Sequence, residues 1–199
     1  MKNYYLGFIC FLTAVPVLAQ AVNSANQVHQ SFYIEMDGCS SGPDTYPYLG
    51  SLGPGYGAGI GYGLNLTPTI SLVLDLHYNY FPVNLVPGAS GGDTQTLWLL
   101  INGKFVLVDP ANPVLTYLIV GFGNSFYFVS PFRYTQQTQV FPGSFATDPL
   151  GRIGLGADIR LRNGFYLTLE YDGIGGLSNV YDYTQDQAAM FAIGLKFDR

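Results

Sequence analysis

The stretch RIGLGADIRLRNGFYLTLEYD, residues 152–172, decides the fold. Ile153, Leu155, Ala157, Ile159 and Leu161 fall on one face, with Arg152, Gly154, Gly156, Asp158 and Arg160 on the other. Asn163-Gly164 turns the chain, and Phe165, Leu167, Leu169 and Tyr171 resume the apolar face against Tyr166, Thr168, Glu170 and Asp172. A period of two marks β-strands, and Asn-Gly between two such runs is a strong hairpin signal. The last segment repeats the pattern, setting Phe191, Ile193, Leu195 and Phe197 against Met190, Ala192, Gly194 and Lys196.

Working outward from this hairpin, the chain divides into eight strands. They are read at Gln30–Asp37, Gly55–Leu66, Thr69–Phe81, Thr94–Val108, Val114–Phe128, Leu150–Arg162, Gly164–Gly173 and Gln187–Phe197. The connections alternate in length. Those at 66–69, 109–113 and 163–164 are tight; those at 38–54, 82–93, 129–149 and 174–186 are long and rich in Pro, Gly, Ser and Asp. Most of these strands reach the ~9–11 residues that a tilted membrane-crossing strand needs. An even count places both termini at the short-turn rim.

The charges choose between two inversions of the same pattern. A soluble barrel turns its apolar face inward, whereas a membrane barrel turns it to lipid and keeps a polar lumen. Continuing the register puts Glu35, Asp37, Asp75, His77, Asn102, Lys104, Arg152, Asp158, Arg160, Glu170, Asp172 and Lys196 on the inner face. A charged inner face favours the membrane arrangement. Aromatic residues are expected in two girdles: Tyr78, Tyr80, Phe81, Phe126, Tyr127 and Phe128 by the long loops, and Phe105, Phe165 and Phe197 by the short turns.

Residues 1–21 read as a secretory signal peptide, with Lys2 at its head, an apolar stretch from Tyr4 to Val17, and Ala19-Gln20-Ala21 as the cleavage site. The mature domain is then 22–199, with 22–29 an N-terminal tail. No later segment reads as a transmembrane helix, and in a bilayer only helices and closed barrels satisfy every backbone group. Without Lys2, seven basic residues stand against thirteen acids, a net of −6 that argues against nucleic-acid binding. Cys39 would be the only mature cysteine, so no disulfide framework is expected.

Three features resemble the small eight-stranded outer-membrane barrels of the OmpA/OmpX type, a group that includes opacity and porin-like barrels. One is the glycine-alternating strand GYGAGIGYG at 55–63, and another is the 117–123 strand with its paired glycines. The third is Phe191-x-Ile193-x-Leu195-x-Phe197, which looks like the signal recognised by the barrel-insertion machinery; family members often end on the aromatic residue, whereas Asp198-Arg199 follow here. The resemblance implies an all-β, up-and-down transmembrane barrel in the outer membrane of a Gram-negative-type bacterium. It also implies membrane lipids, lipopolysaccharide, periplasmic chaperones and the insertion machinery as partners. The peptidoglycan-binding role of some relatives is not carried over, because the barrel is expected to fill the mature chain and no globular domain is read after it.

Two mechanisms stay open for the lumen. An eight-stranded barrel has an interior that side chains just fill, so the charges are expected to pair into a plug, with Gly57, Gly59, Gly61, Gly154 and Gly156 leaving space for the arginines. Alternatively the same network is a gate, and re-pairing of Arg152 or Arg160 opens a narrow path for ions or small solutes.

Catalysis is not expected, although a few outer-membrane barrels modify lipids. Asp75, His77 and Ser71 are the nearest approach to a hydrolytic set, and Asp75 reads more simply as a salt-bridge partner. Two histidines and one cysteine give no zinc spacing, and no cofactor is expected. Asp44, Asp93, Asp148, Asp182 and Asp186 against Arg133 make the long loops acidic, and Cys39 reads as lying in the first of them. Surface contacts, if any, would fall to Tyr46, Tyr48, Phe132, Tyr134, Phe141, Phe145, Tyr181 and Tyr183. The expected role is structural or surface-interacting, with any surface ligand unknown.

Overall fold

A computed structural model describes residues 29–41, 45–46, 50–85, 89–134, 140–176 and 187–199. The proposed signal peptide, Tyr48, Tyr181, Tyr183, Asp44, Asp182 and Asp186 lie outside the described residues. Eight antiparallel strands close into a barrel. They are β1 (His29–Ser41), β2 (Gly55–Asn65), β3 (Ile70–Phe81), β4 (Thr94–Val106), β5 (Val114–Val129), β6 (Ser144–Arg162), β7 (Phe165–Gly176) and β8 (Gln187–Asp198). Each strand pairs with its sequence neighbours. The ring closes where β1 meets β8, with Phe32 opposite Phe197, Ile34 opposite Leu195 and Met36 opposite Ile193.

The strand bounds differ from expectation mainly at the long-loop end. β1 runs on to Ser41 because Gly38–Ser41 finds partners at 188–191, and this carries Cys39 out of the first loop and into the wall. β6 begins at Ser144, since residues 144–149 pair with 124–129 straight through Pro149. Asp148 is therefore a buried, inward-facing wall residue, and Phe145 packs outside the barrel against Phe128 at 5.1 Å.

The short turns are built from local hydrogen bonds. In the β2–β3 turn the Thr67 hydroxyl accepts from the Thr69 and Ile70 amides at 3.2 and 3.0 Å. The β6–β7 turn needs a left-handed residue, supplied by Gly164 at φ 70°; Asn163 stays at negative φ. This is not the doubly left-handed two-residue turn that Asn-Gly favours, and a register shift between Arg160 and Arg162 absorbs the difference.

Apolar residues cover the outside. Ile34, Met36, Ile60, Phe122, Ile153, Leu155, Tyr171 and Phe191 are among the most exposed large apolar side chains of the described residues. A soluble fold does not present so continuous an apolar face to water, while a bilayer requires it. Beyond the long-loop rim the wall continues as two small sheets. Gly50–Leu52 pairs with Thr45–Tyr46 and Val83–Leu85, and Phe132–Tyr134 pairs with Ala89–Gly91 and Val140–Phe141.

Candidate functional site

The lumen is stacked in three storeys. Nearest the short turns, Asp158 on β6 takes both lysines: Lys104 Nζ from β4 at 2.9 Å and Lys196 Nζ from β8 at 3.1 Å. The Thr168 hydroxyl donates to its other oxygen at 3.0 Å. Three tyrosines complete the layer. Lys104 Nζ sits 3.5 Å from the Tyr117 ring centroid and 5.0 Å from that of Tyr33, and Lys196 Nζ lies 4.7 Å from that of Tyr166. Cation–π contact of this kind is strongest where water is excluded.

The middle storey centres on Arg152. Its Nη1 donates to Asp75 Oδ2 on β3 at 2.8 Å, and its Nη2 contacts Glu170 and, at 2.9 Å, Asp172 Oδ2 on β7. Tyr117 OH donates to Glu170 Oε2 at 2.7 Å, and Asn102 Nδ2 to Asp75 Oδ2 at 2.7 Å. Beside them the His77 imidazole lies between Asp37 at 3.4 Å and Glu35 at 3.9 Å. The storey thus holds five carboxylates against one guanidinium and one imidazole, while the storey below carries two lysines for one Asp158. The charge along the lumen is polarised, acid towards the loops and base towards the turns.

The third storey, on the loop side, is one the alternation did not single out. Cys39, Phe81, Trp98, Leu100, Leu150, Ile174, Met190 and Ala192 form a buried apolar cluster inside the barrel. Trp98 and Leu100 share the parity of Asn102 and Lys104, so the register does place them inward. What hides them is that residues 97–101 are apolar on both faces. On the β3–β5 side the same level is polar. Asn79, Thr94, Thr96, Ser125 and Tyr127 are all buried, each with a side-chain polar atom that finds no partner among the described residues.

Several sequence expectations need correction. Arg160 does not join the lumen network: it is exposed at the short-turn rim, where its Nη2 donates to Pro110 O at 3.2 Å and its guanidinium lies 5.7 Å from the Tyr166 ring. Phe81 and Tyr127 point inward rather than to a girdle, because alternation gives the outer face to Tyr78, Tyr80, Phe126 and Phe128. Cys39 is buried, its thiol donating to Asp37 Oδ1 at 3.2 Å. The glycines make room for carboxylates and rings, not arginines. A Cβ at Gly57 would meet Asn79 and Asp37, at Gly59 the His77 ring, at Gly61 Asp75, at Gly154 Asp172, and at Gly156 Tyr117.

The hydrolytic set does not assemble. Ser71 Oγ donates to Asn65 Oδ1 at 2.7 Å, Asp75 serves Arg152, and His77 turns to Asp37. No cluster of three potential metal ligands occurs among the described residues. Phe132 and Tyr134 lie on the small loop sheet and Tyr46 on its counterpart. Phe191, Ile193, Leu195 and Phe197 all face outward on β8, the strand that closes the ring.

This is the architecture of the small eight-stranded outer-membrane barrels: apolar outer wall, a filled lumen charged through most of its height, short turns opposite long loops. The chain is similar in structure to Ail, the attachment invasion locus protein of Yersinia pestis, at a TM-score of 0.57, covering 86% of this chain and 99% of that one at 11% identity. It is similar to Neisserial surface protein A at a TM-score of 0.58, 14% identity, covering 86% of this chain and 97% of that one. A major outer membrane protein of Thermus thermophilus gives a TM-score of 0.55 at 13% identity, over 85% and 99% of the two chains. At such identities the likeness is one of fold. No family model matches the sequence, and no curated protein does.

Proposed function

We propose that the chain is an exported protein of the outer membrane of a Gram-negative-type bacterium, with a structural or surface-interaction role and a lumen that acts as a lock rather than a conduit. The observation that carries this reading is the position of Arg152, which ties β6 to β3 and β7 at once. Buried charges persist only when paired, and pairs between non-adjacent strands cross-link the barrel. The apolar storey on the loop side adds a second obstruction, since an apolar constriction expels water. Function then moves to the loops. Their acidic character, from Asp44, Asp93, Asp182 and Asp186 against Arg133, makes them a poor match for a polyanion such as the heparin analogue bound to Ail in one of its structures. A cationic or apolar surface partner fits better.

One observation favours the runner-up, a narrow channel. Buried polar atoms of Asn79, Thr96, Ser125 and Tyr127 form a strip down one wall of the apolar storey, where a file of waters would satisfy them. Planar-bilayer conductance of the refolded chain, with unboiled and boiled gel migration as the test of folding, separates the two. Silence from a folded barrel supports the lock. Discrete steps that change on replacing Arg152 would make it a pore.

A further inference from the structure

A row of four aromatic side chains runs around the outside of the barrel near the short turns. Tyr62 on β2 is paired with Phe32 on β1, Phe32 with Phe197 on β8, and Phe197 with Phe165 on β7. At the two ends of the row the rings touch, with Phe32–Tyr62 centroids 5.2 Å apart and Phe165–Phe197 centroids 4.9 Å apart. Aromatic girdles flank the apolar band of membrane barrels at the membrane–water interface, and the Phe165–Phe197 end of this row lies beside the short turns.

The next residue in the row is an arginine. Without the register shift at Arg160/Arg162, strict alternation would give Arg162 the same face as Asp158, towards the lumen mouth. The shift instead pairs Arg162 directly with Phe165, on the outer face, beside exposed Leu161. Bulges re-aim side chains in this way. Among the described residues the Arg162 guanidinium has no partner. Arg199 follows on the same side as Phe197, exposed, and held by two backbone bonds to Gln30 at 3.1 and 2.8 Å. The acids of this rim are otherwise engaged: Asp198 contacts Lys196 at 3.4 Å, and Asp109 caps the β4–β5 turn by accepting from the Ala111 amide at 2.9 Å.

We infer that Arg162 and Arg199, flanking the Phe165–Phe197 pair, form a binding site for the phosphate of an anionic phospholipid in the leaflet that meets the short turns. The aromatic pair and Leu161 would take the start of the acyl chains, and the two guanidinium groups the phosphodiester, for which their planar donor fork is suited. A cell-wall polymer would also attract cations. By register, however, Arg162 stands opposite the outward-facing Phe165 and Arg199 two residues beyond Phe197, which places both in line with the apolar wall and favours the lipid. This inference rests on the membrane reading above.

The test is native mass spectrometry of the refolded chain released from phosphatidylcholine vesicles with or without phosphatidylglycerol, beside R162Q, R199Q and R162Q/R199Q. Wild type is expected to retain phosphatidylglycerol in preference to phosphatidylcholine, and each substitution to reduce that preference about fivefold, as a single cationic side chain near an anionic surface does. R162K, which keeps the charge but not the donor fork, should keep part of it. Unboiled gel migration shows that each variant has folded. Equal retention of the two lipids by folded wild type, or an unchanged preference in the double variant, overturns the proposal. So does an unchanged lipid preference accompanied by loss of pelleting with purified peptidoglycan. Failure to insert into either vesicle would sink the membrane reading itself.

Discussion

Arg152 Nη1 and Asp75 Oδ2 meet at 2.8 Å although they are 77 residues apart, on strands that are not neighbours in the barrel. The bond is a strut across the lumen. Removing the guanidinium leaves Asp75, Glu170 and Asp172 facing one another without their cation. Arg152→Ala should therefore destabilise the barrel by roughly 3–5 kcal/mol. Heat-resistance of the unboiled gel band, or a urea titration in detergent, would show the loss. A difference under about 1 kcal/mol would mean that the network contributes little.

The apolar storey makes a second forecast about the same residue. If Trp98, Leu100, Leu150 and Met190 seal the lumen independently, Arg152→Ala alone should remain non-conducting in a planar bilayer. Conductance should require a second opening, as in Arg152→Ala with Trp98→Ala. Steps from the single variant would show that the charges, not the apolar layer, close the barrel.

Glycine positions supply a matched pair. A methyl at Gly59 would stand 2.5 Å from the His77 ring, whereas Gly38 has nothing within 4 Å of the same atom. Overpacking of a filled interior costs about 1–3 kcal/mol, so Gly59→Ala should be destabilising by that amount. Gly38→Ala should stay within about 0.5 kcal/mol of wild type. Denaturant midpoints of the two variants decide the matter, and equal midpoints would contradict the packed lumen.

Leu155 probes the opposite face. It is 59% exposed in the apolar belt. At mid-bilayer, Leu155→Arg should cost about 2–4 kcal/mol in a lipid-embedded barrel. In a protein whose outer face met water the same change would be close to neutral. Unfolding in phospholipid vesicles distinguishes these results.

Cys39 offers a kinetic check on the extended β1. With 3% of its surface exposed, its thiol should resist maleimide in the folded barrel and react rapidly after boiling in detergent. Rapid labelling of the folded form would return Cys39 to a loop.

Strand number, strand order and the identity of most inward charges were legible from alternation alone, because a period of two assigns every second side chain once one face is known. Legibility failed where that signal is silent. Residues 97–101 are apolar on both faces, so Trp98 and Leu100 carry no contrast. Pro149 reads as loop punctuation, yet the strand runs through it, because residues 144–149 pair with β5 alone and β7 joins only from Leu150. The shift at Arg160/Arg162 lies in backbone geometry that one-dimensional spacing does not encode, and it decides which way Arg162 faces. The pairing of Arg152 is likewise beyond spacing, since parity says which residues enter the lumen and not at what height.

The two small sheets above the rim bond the first loop to the second and the second to the third. A hairpin anchored only at its own base can be shortened or exchanged without disturbing its neighbours; one laced to them cannot. Replacing any of these three segments would release backbone donors and acceptors on the next. Whatever approaches these three loops therefore meets one ledge that yields or holds as a unit.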